Sequence, residues 1–216
     1  MIKVHHLGSS RSDRIIWLCE ELGAPYEIIT HQRDPNTMRA PEAIWAINPL
    51  GKAPVIEDNG KPVFESGAII EYLTETYGDT QLKPAKDSAE YIAYLHWMHC
   101  AESTLMTPIL FGILSSAMGV ESEILPMFIE GEYKTLFDYT DKVLGEHQYI
   151  AGDNFTAADV MVAYTLMMAD APPVGPGFAP GDADEFVSPF ANYANIQRYL
   201  NDIQARPAYQ AAAKQF

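Results

Sequence analysis

Asn48-Pro49-Leu50-Gly51-Lys52-Ala53-Pro54-Val55-Ile56-Glu57-Asp58-Asn59-Gly60-Lys61-Pro62-Val63-Phe64-Glu65-Ser66-Gly67-Ala68-Ile69-Ile70 lays down a strand, a turn, a strand and a helix in one run. Pro54 opens the apolar pair Val55-Ile56, a short strand, and a proline is tolerated at a strand's first residue because no ladder bond is asked of it. Asn59-Gly60 is the pair that a two-residue hairpin favours, which makes Val63-Phe64 the returning strand. Glu65-Ser66-Gly67 then leads into Ala68-Ile69-Ile70-Glu71-Tyr72-Leu73, a helical pattern running to Tyr77. Ser66 is the expected N-cap. Three residues on stands Ile69 rather than Glu or Gln, so no acid returns to close a capping box. The first-turn N–H groups are therefore open to a carboxylate or phosphate. Glu65 beside them offers a carboxylate to an ammonium group. An acid-binding helix start next to an amine-binding carboxylate is what the free end of an amino acid needs. An ordinary hairpin followed by an ordinary capped helix satisfies the same residues.

Upstream, Ile2 to Leu7 reads as a strand, with Ile2 and Val4 alternating against Lys3. His5 and His6 are adjacent, point to opposite faces and cannot chelate together, so a structural role is expected of both. The polar turn Gly8-Ser9-Ser10-Arg11-Ser12-Asp13-Arg14 follows. Ile15, Leu18, Cys19 and Leu22 then recur at helical spacing, and Gly23 and Pro25 end the helix. Tyr26 to Thr30 is a second strand, which completes a βαβ unit. Parallel pairing puts the Ser9-Ser10 turn at the carboxyl end of the first strand, where open α/β sheets place ligands. Ser10 has two readings. One makes it the helix N-cap with Asp13 as its short-armed box partner. The other makes its hydroxyl a donor to a bound thiolate, whose pKa the helix end and Arg11 would lower. With a short helix over Pro41 to Ile47, the first part runs β-α-β-α-β-β-α and ends near Gly78. That order is thioredoxin-like, but no Cys-x-x-Cys is present, which excludes dithiol chemistry.

Three motifs together resemble the glutathione transferases: Ser10-Arg11-Ser12-Asp13-Arg14, Asn48-Pro49-Leu50-Gly51-Lys52-Ala53-Pro54 and Glu65-Ser66-Gly67-Ala68-Ile69. The resemblance spans the whole chain. It implies that Ala53-Pro54 is a cis-peptide loop pairing with the cysteinyl part of glutathione, that Glu65 and Ser66 hold its γ-glutamyl end, and that Lys52 approaches its glycine end. Arg11 is counted among the binding residues. Family members use Tyr, Ser or Cys as the catalytic group. No Tyr precedes Tyr26 and Cys19 lies on a helix face, so the chain is similar to the Ser type. Ser10 is the first candidate by its spacing to Arg14, and Ser9 the second. The implied activity is attack of the glutathione thiolate on a small hydrophobic electrophile. Peroxide reduction uses the same thiolate and is not separated from it. The alternative is a non-catalytic glutathione-binding or structural protein on the same fold.

Residues 79–87 read as a linker between a thioredoxin-like domain at 1–78 and an all-helical, electrophile-binding domain at 88–216. The second domain opens with a helix at Ser88-Ala89-Glu90 that Pro108 should kink. The resemblance makes Met106 and Phe111 pocket residues, although an apolar stripe is also how a core reads. On the same helix, His96 and His99 stand three apart near Cys100 and Glu102, but no further ligand has a fixed spacing, so no metal is expected. Glu121 to Glu146 reads as a second long helix. Thr156 with Asp159 closes a capping box on a buried helix running to Ala169. Ala171 to Pro189 is a long loop, Phe190 to Ala205 a further helix, and Pro207 starts a last short one.

Of 216 residues, 48% are hydrophobic and 20% charged, with a net charge of -15. That balance builds a globular core and argues against nucleic acid or an anionic membrane surface as partner. Two cysteines make no disulfide framework, and the first residues carry no signal peptide. No apolar run approaches the roughly 18 residues of a spanning helix. A cytoplasmic protein is expected, and by resemblance a homodimer.

Overall fold

The computed structural model describes residues 1–8, 10–78, 82–172 and 186–216. Its contacts divide the chain into Met1–Ser88 with Ile203–Phe216, and Ala89–Asp202. The first unit carries β1 (Ile2–Leu7), α1 (Asp13–Leu22), β2 (Tyr26–His31), α2 (Glu42–Trp45), β3 (Val55–Asp58), β4 (Lys61–Phe64) and α3 (Ser66–Tyr77). This is the expected βαβαββα order. The strands lie in the order β2-β1-β3-β4. β1 pairs parallel with β2 and antiparallel with β3, and β3 with β4 forms the hairpin. Asn59 and Gly60 both take positive φ, at 51° and 75°, as a turn matching strand twist requires. Ile2, Val4 and His6 share one face of β1 by the strand period. Asp58 closes the hairpin onto α3 by accepting the Tyr72 and Tyr77 hydroxyls, each at 2.8 Å.

The sequence reading assigned residues 88–216 to a helical domain, whereas the contacts join Ser88 and Ile203–Phe216 to the first unit. The reason lies on α1. Trp17 meets Tyr209 of α9 (Pro207–Ala212) edge-on, with ring centroids 5.2 Å apart. Arg206 donates two bonds of 2.7 Å to Glu21, which also accepts the Trp17 indole N–H at 2.9 Å. Glu21 is only 6% exposed, so it needs that guanidinium. Arg206→Ala is expected to lower stability by about 2 kcal/mol, because it strands a buried carboxylate on one neutral donor. Urea unfolding followed by tryptophan fluorescence measures this, Trp17 being the reporter at the contact.

The second unit holds α4 (Tyr91–Cys100), a π-helical turn (Ala101–Leu105), α5 (Met106–Ala117), α6 (Ile124–Glu146), α7 (Ala157–Ala169) and α8 (Ala194–Gln204) up to Asp202. The irregularity expected at Pro108 falls just before it, in the wide turn Ala101–Leu105. There the helix makes room for a ring that would otherwise strike the carbonyl four residues back. Because the turn keeps the helix continuous, Tyr91–Ala117 reaches 27 residues and is long and apolar enough to cross a bilayer by length and composition. The sequence reading saw no such run. A core helix has the same profile, and α4 packs against α7. α7 is buried on nearly every side, from Ala157 through Leu166.

Candidate active site

The register places three turns at one end of the sheet. His5 lies opposite Val55, and Val55 opposite Phe64. Continuing those pairings by one residue sets His6, Pro54 and Glu65 side by side. The turn after β1, the turn before β3 and the start of α3 therefore meet beside the carboxyl end of β1. These are the three motifs that the sequence reading selected.

The turn before β3 is folded around the buried side chain of Asn48. Its amide donates to the Lys52 carbonyl at 2.8 Å, and its oxygen accepts the Leu50 N–H at 3.0 Å. Gly51 stands at φ 59°, and a Cβ there would fall 2.2 Å from the Trp45 ring, so no side chain fits. The Ala53-Pro54 peptide bond is cis, as the resemblance implies. Lys52 is exposed, Ala53 half-buried and Pro54 buried.

At α3 the expected cap is displaced by one residue. Glu65, exposed and at φ 76°, is the N-cap, and Ser66 is the first helical residue. No acid occupies the first turn. Ser66 Oγ is buried and has no hydrogen-bond partner. A buried hydroxyl without a partner costs roughly 1–3 kcal/mol, and this one lies at a helix start with no acid in its first turn.

At α1 the expected cap also moves. The helix begins at Asp13 with Ser12 as N-cap, and Ser12 makes no side-chain cap bond. Ser10 thus does not cap the helix, and Asp13 closes no box on it. The reason is His6: the Ser12 hydroxyl turns back to its Nδ1 at 2.8 Å and accepts the Leu7 N–H at 3.3 Å. Ser10, half-buried, bonds Ser12 Oγ at 2.8 Å and accepts the Ser12 N–H at 3.2 Å. Asp13 Oδ1 lies 3.5 Å from His6 Nδ1, and burial raises the Asp13 carboxyl to about 7 against the opposing pull of Arg14. Burial lowers the pKa of His6. Arg11 is half-buried, and Ser9 lies outside the described residues. Sequence reasoning missed this group of His6, Ser12 and Asp13. The available signal was the strand period, which sends His6 to the same face as Ile2 and Val4, the side α1 covers.

Cys19 is no competing nucleophile, since burial, then the Glu20 charge, push its thiol to about 12. In the second unit Met106 is buried and Phe111 is 52% exposed, five residues apart on α5. Among the described residues no group of three or more His, Cys, Asp or Glu is arranged to hold a metal. Residues 173–185 of the long loop lie outside the described residues.

Residues 1–75 match the family model of the glutathione S-transferase N-terminal domain, and residues 128–202 that of the glutathione S-transferase C-terminal domain. Glutathione S-transferase 3 of Schizosaccharomyces pombe is 34% identical, over 99% of this chain and 87% of its own. The crystal structure of a glutathione S-transferase from Actinobacillus pleuropneumoniae is similar with a TM-score of 0.81 and 30% identity, covering 100% of this chain and 92% of that one. A glutathione transferase family member from Pseudomonas fluorescens, solved with two glutathione molecules bound, shares the fold at a TM-score of 0.76 and 24% identity, over 98% and 91% of the two chains.

Proposed function

The chain belongs to the glutathione S-transferase family, and from that premise we propose how its own residues hold and activate the co-substrate. The γ-glutamyl carboxylate takes the open start of α3 and the Ser66 hydroxyl, and Glu65 takes the α-ammonium. The backbone at Ala53-Pro54 pairs with the cysteinyl unit, Lys52 meets the glycine carboxylate, and Arg11 adds positive charge near the sulfur. Ser10 donates a hydrogen bond to that sulfur, with Ser9 as the neighbouring candidate. The observation that carries this reading is the unpartnered, buried Ser66 hydroxyl at a helix start with no acid in its first turn. A thiolate so held attacks a small hydrophobic electrophile, with Met106 and Phe111 proposed for the second pocket.

Calorimetry with glutathione tests the binding half. Ser66→Ala and Glu65→Gln are each expected to weaken binding about tenfold, near 1.4 kcal/mol, with the fold intact by circular dichroism. Unchanged affinity in both would remove the γ-glutamyl assignment. Tight binding by the parent with no turnover across a panel of electrophiles and organic peroxides would make it a binding protein instead. The same panel separates conjugation from peroxide reduction.

The proposal extends to a cytoplasmic homodimer. Both cysteines are free, as in a reducing compartment where glutathione is a thiol. Ile124, Met127 and Phe128 follow one another on one exposed side of α6, an apolar surface suited to a partner. Light scattering at one protomer's mass would remove the dimer.

A further inference from the structure

Ser12 joins groups whose hydrogen bonds have a direction. Its Oγ lies 2.8 Å from His6 Nδ1 and 2.8 Å from Ser10 Oγ, and it accepts from the Leu7 N–H. Ser10 Oγ in turn accepts from the Ser12 N–H. A hydroxyl has one hydrogen and two lone pairs, so the chain settles in one of two directions. With a hydrogen on Nδ1, the ring and the Leu7 N–H fill both lone pairs of Ser12. Ser12 then passes its hydrogen to Ser10, the Leu7 carbonyl at 3.4 Å being the longer alternative. Ser10 now has both lone pairs filled, and its own hydrogen points outward. With Nδ1 bare, the two side-chain bonds reverse, and the backbone N–H donors of Leu7 and Ser12 stay as they are. Ser12 donates to the ring, Ser10 donates to Ser12, and Ser10 shows the outside a lone pair and no hydrogen.

We propose that His6 is a positioning residue for the transferase reaction: the hydrogen on its Nδ1, relayed through Ser12, makes Ser10 a donor toward the glutathione sulfur. This rests on the reading of Ser10 given above. A thiolate only accepts hydrogen bonds, so the first direction favours ionised sulfur and the second favours the thiol. In the first direction Ser10 has no lone pair to take the thiol's proton, which leaves to solvent. Asp13 biases the choice above about pH 7, where its carboxyl is ionised: its Oδ1, 3.5 Å from Nδ1 and otherwise unpartnered, then draws the hydrogen to that nitrogen. Burial lowers the His6 pKa, which favours the neutral ring near neutral pH, and there the direction is set by tautomer. The other charged or titratable groups acting here are His5 on β1, Arg14 on α1, His31 on β2, and Tyr209 on α9, which feels Asp13.

The test is the pKa of the bound thiol, read from thiolate ultraviolet absorbance. His6→Leu is expected to raise it by about one unit and to lower kcat/KM about tenfold below that pKa. Affinity for S-methylglutathione, which has no thiol to ionise, is expected to stay the same. His6→Asn, whose amide N–H falls near the Nδ1 position, is expected to restore most of the loss. In a Ser10→Ala background, His6→Leu is expected to add nothing. If Ser10→Ala shifts the thiol and His6→Leu does not, only this inference falls. If neither shifts it, the reading of Ser10 falls and takes the inference with it. A full His6→Leu effect in the Ser10→Ala background also overturns it. Should His6→Leu not fold, NMR of isotope-labelled histidine in the parent decides: a bare Nδ1 in the glutathione complex refutes the relay, and a protonated one supports it.

Discussion

Asp159→Ala is expected to cost about 4 kcal/mol of folding stability, a large share of what a domain of this size has. The carboxylate is fully buried at the start of α7 and accepts four bonds. Thr156 N–H and Thr156 Oγ1 reach one oxygen at 2.7 and 3.1 Å; Ile150 N–H and the Tyr199 hydroxyl reach the other at 2.9 and 3.0 Å. Alanine leaves Ile150 N–H, Thr156 N–H and Thr156 Oγ1 without this acceptor in a dry environment, at roughly 1–3 kcal/mol each, while the Tyr199 hydroxyl keeps the residue 159 carbonyl at 3.4 Å; it also opens the capping box. Removing a buried charge recovers part of that, which is why the sum is not larger. Urea unfolding at neutral pH measures the loss, and a loss under 1 kcal/mol would mean that water replaces the carboxylate.

The same comparison carries a pH signature. Burial raises Asp159 from about 3.8 to about 6, against the pull of its donors. Between those values the folded chain binds a proton that the unfolded chain does not. The stability from this carboxyl is therefore full below the lower value and falls as pH rises through the upper one. The variant lacks the group, so the gap between parent and variant is expected to narrow from pH 4.5 to pH 7 on the scale of those pKa values. Titrations shared by the two proteins cancel in the difference. A gap that widens with pH would put the Asp159 pKa below its ordinary value instead.

The elements set by local chemistry were legible in the chain. Ser66–Tyr77, the Asn59-Gly60 turn, the Gly23 helix end and the Thr156-Asp159 box each follow from residues within a few positions of one another. Both misplaced caps have a tertiary cause. A serine before a helix reads as a cap, but Ser12 spends its hydroxyl on a histidine that the turn folds back over it. At α3 the backbone swings through positive φ at Glu65, and no sequence signal for a non-glycine residue announces that. The docking of α9 depends on Arg206 meeting Glu21, 185 positions apart. The site was legible as three motifs because each is a local turn. That they adjoin follows only from strand order, since β3 enters the sheet beside β1 and brings the cis peptide to the end where α1 begins.

If Ser10 supplies the donor to the sulfur, Ser10→Ala is expected to raise the bound-thiol pKa by about two units, roughly 2.7 kcal/mol, and to lower kcat/KM near pH 6.5 about a hundredfold. Helix ends and cations also favour a thiolate, but an exposed field is screened, while a hydroxyl in contact acts on the ionised sulfur alone. The loss should therefore shrink as pH rises, and should largely vanish above the raised pKa, where the sulfur ionises unaided. Glutathione affinity at low pH should be nearly unchanged, because the neutral thiol gains little from the contact. A structural role predicts otherwise. Ser10 Oγ also accepts the Ser12 N–H, and if that bond were all it provided, the variant would lose about 1 kcal/mol of stability. Its activity would then drop by one factor at every pH. A pH-independent loss, or a thiol pKa equal to the parent's, would transfer the assignment to Ser9, where the matching alanine variant would then have to show the shift.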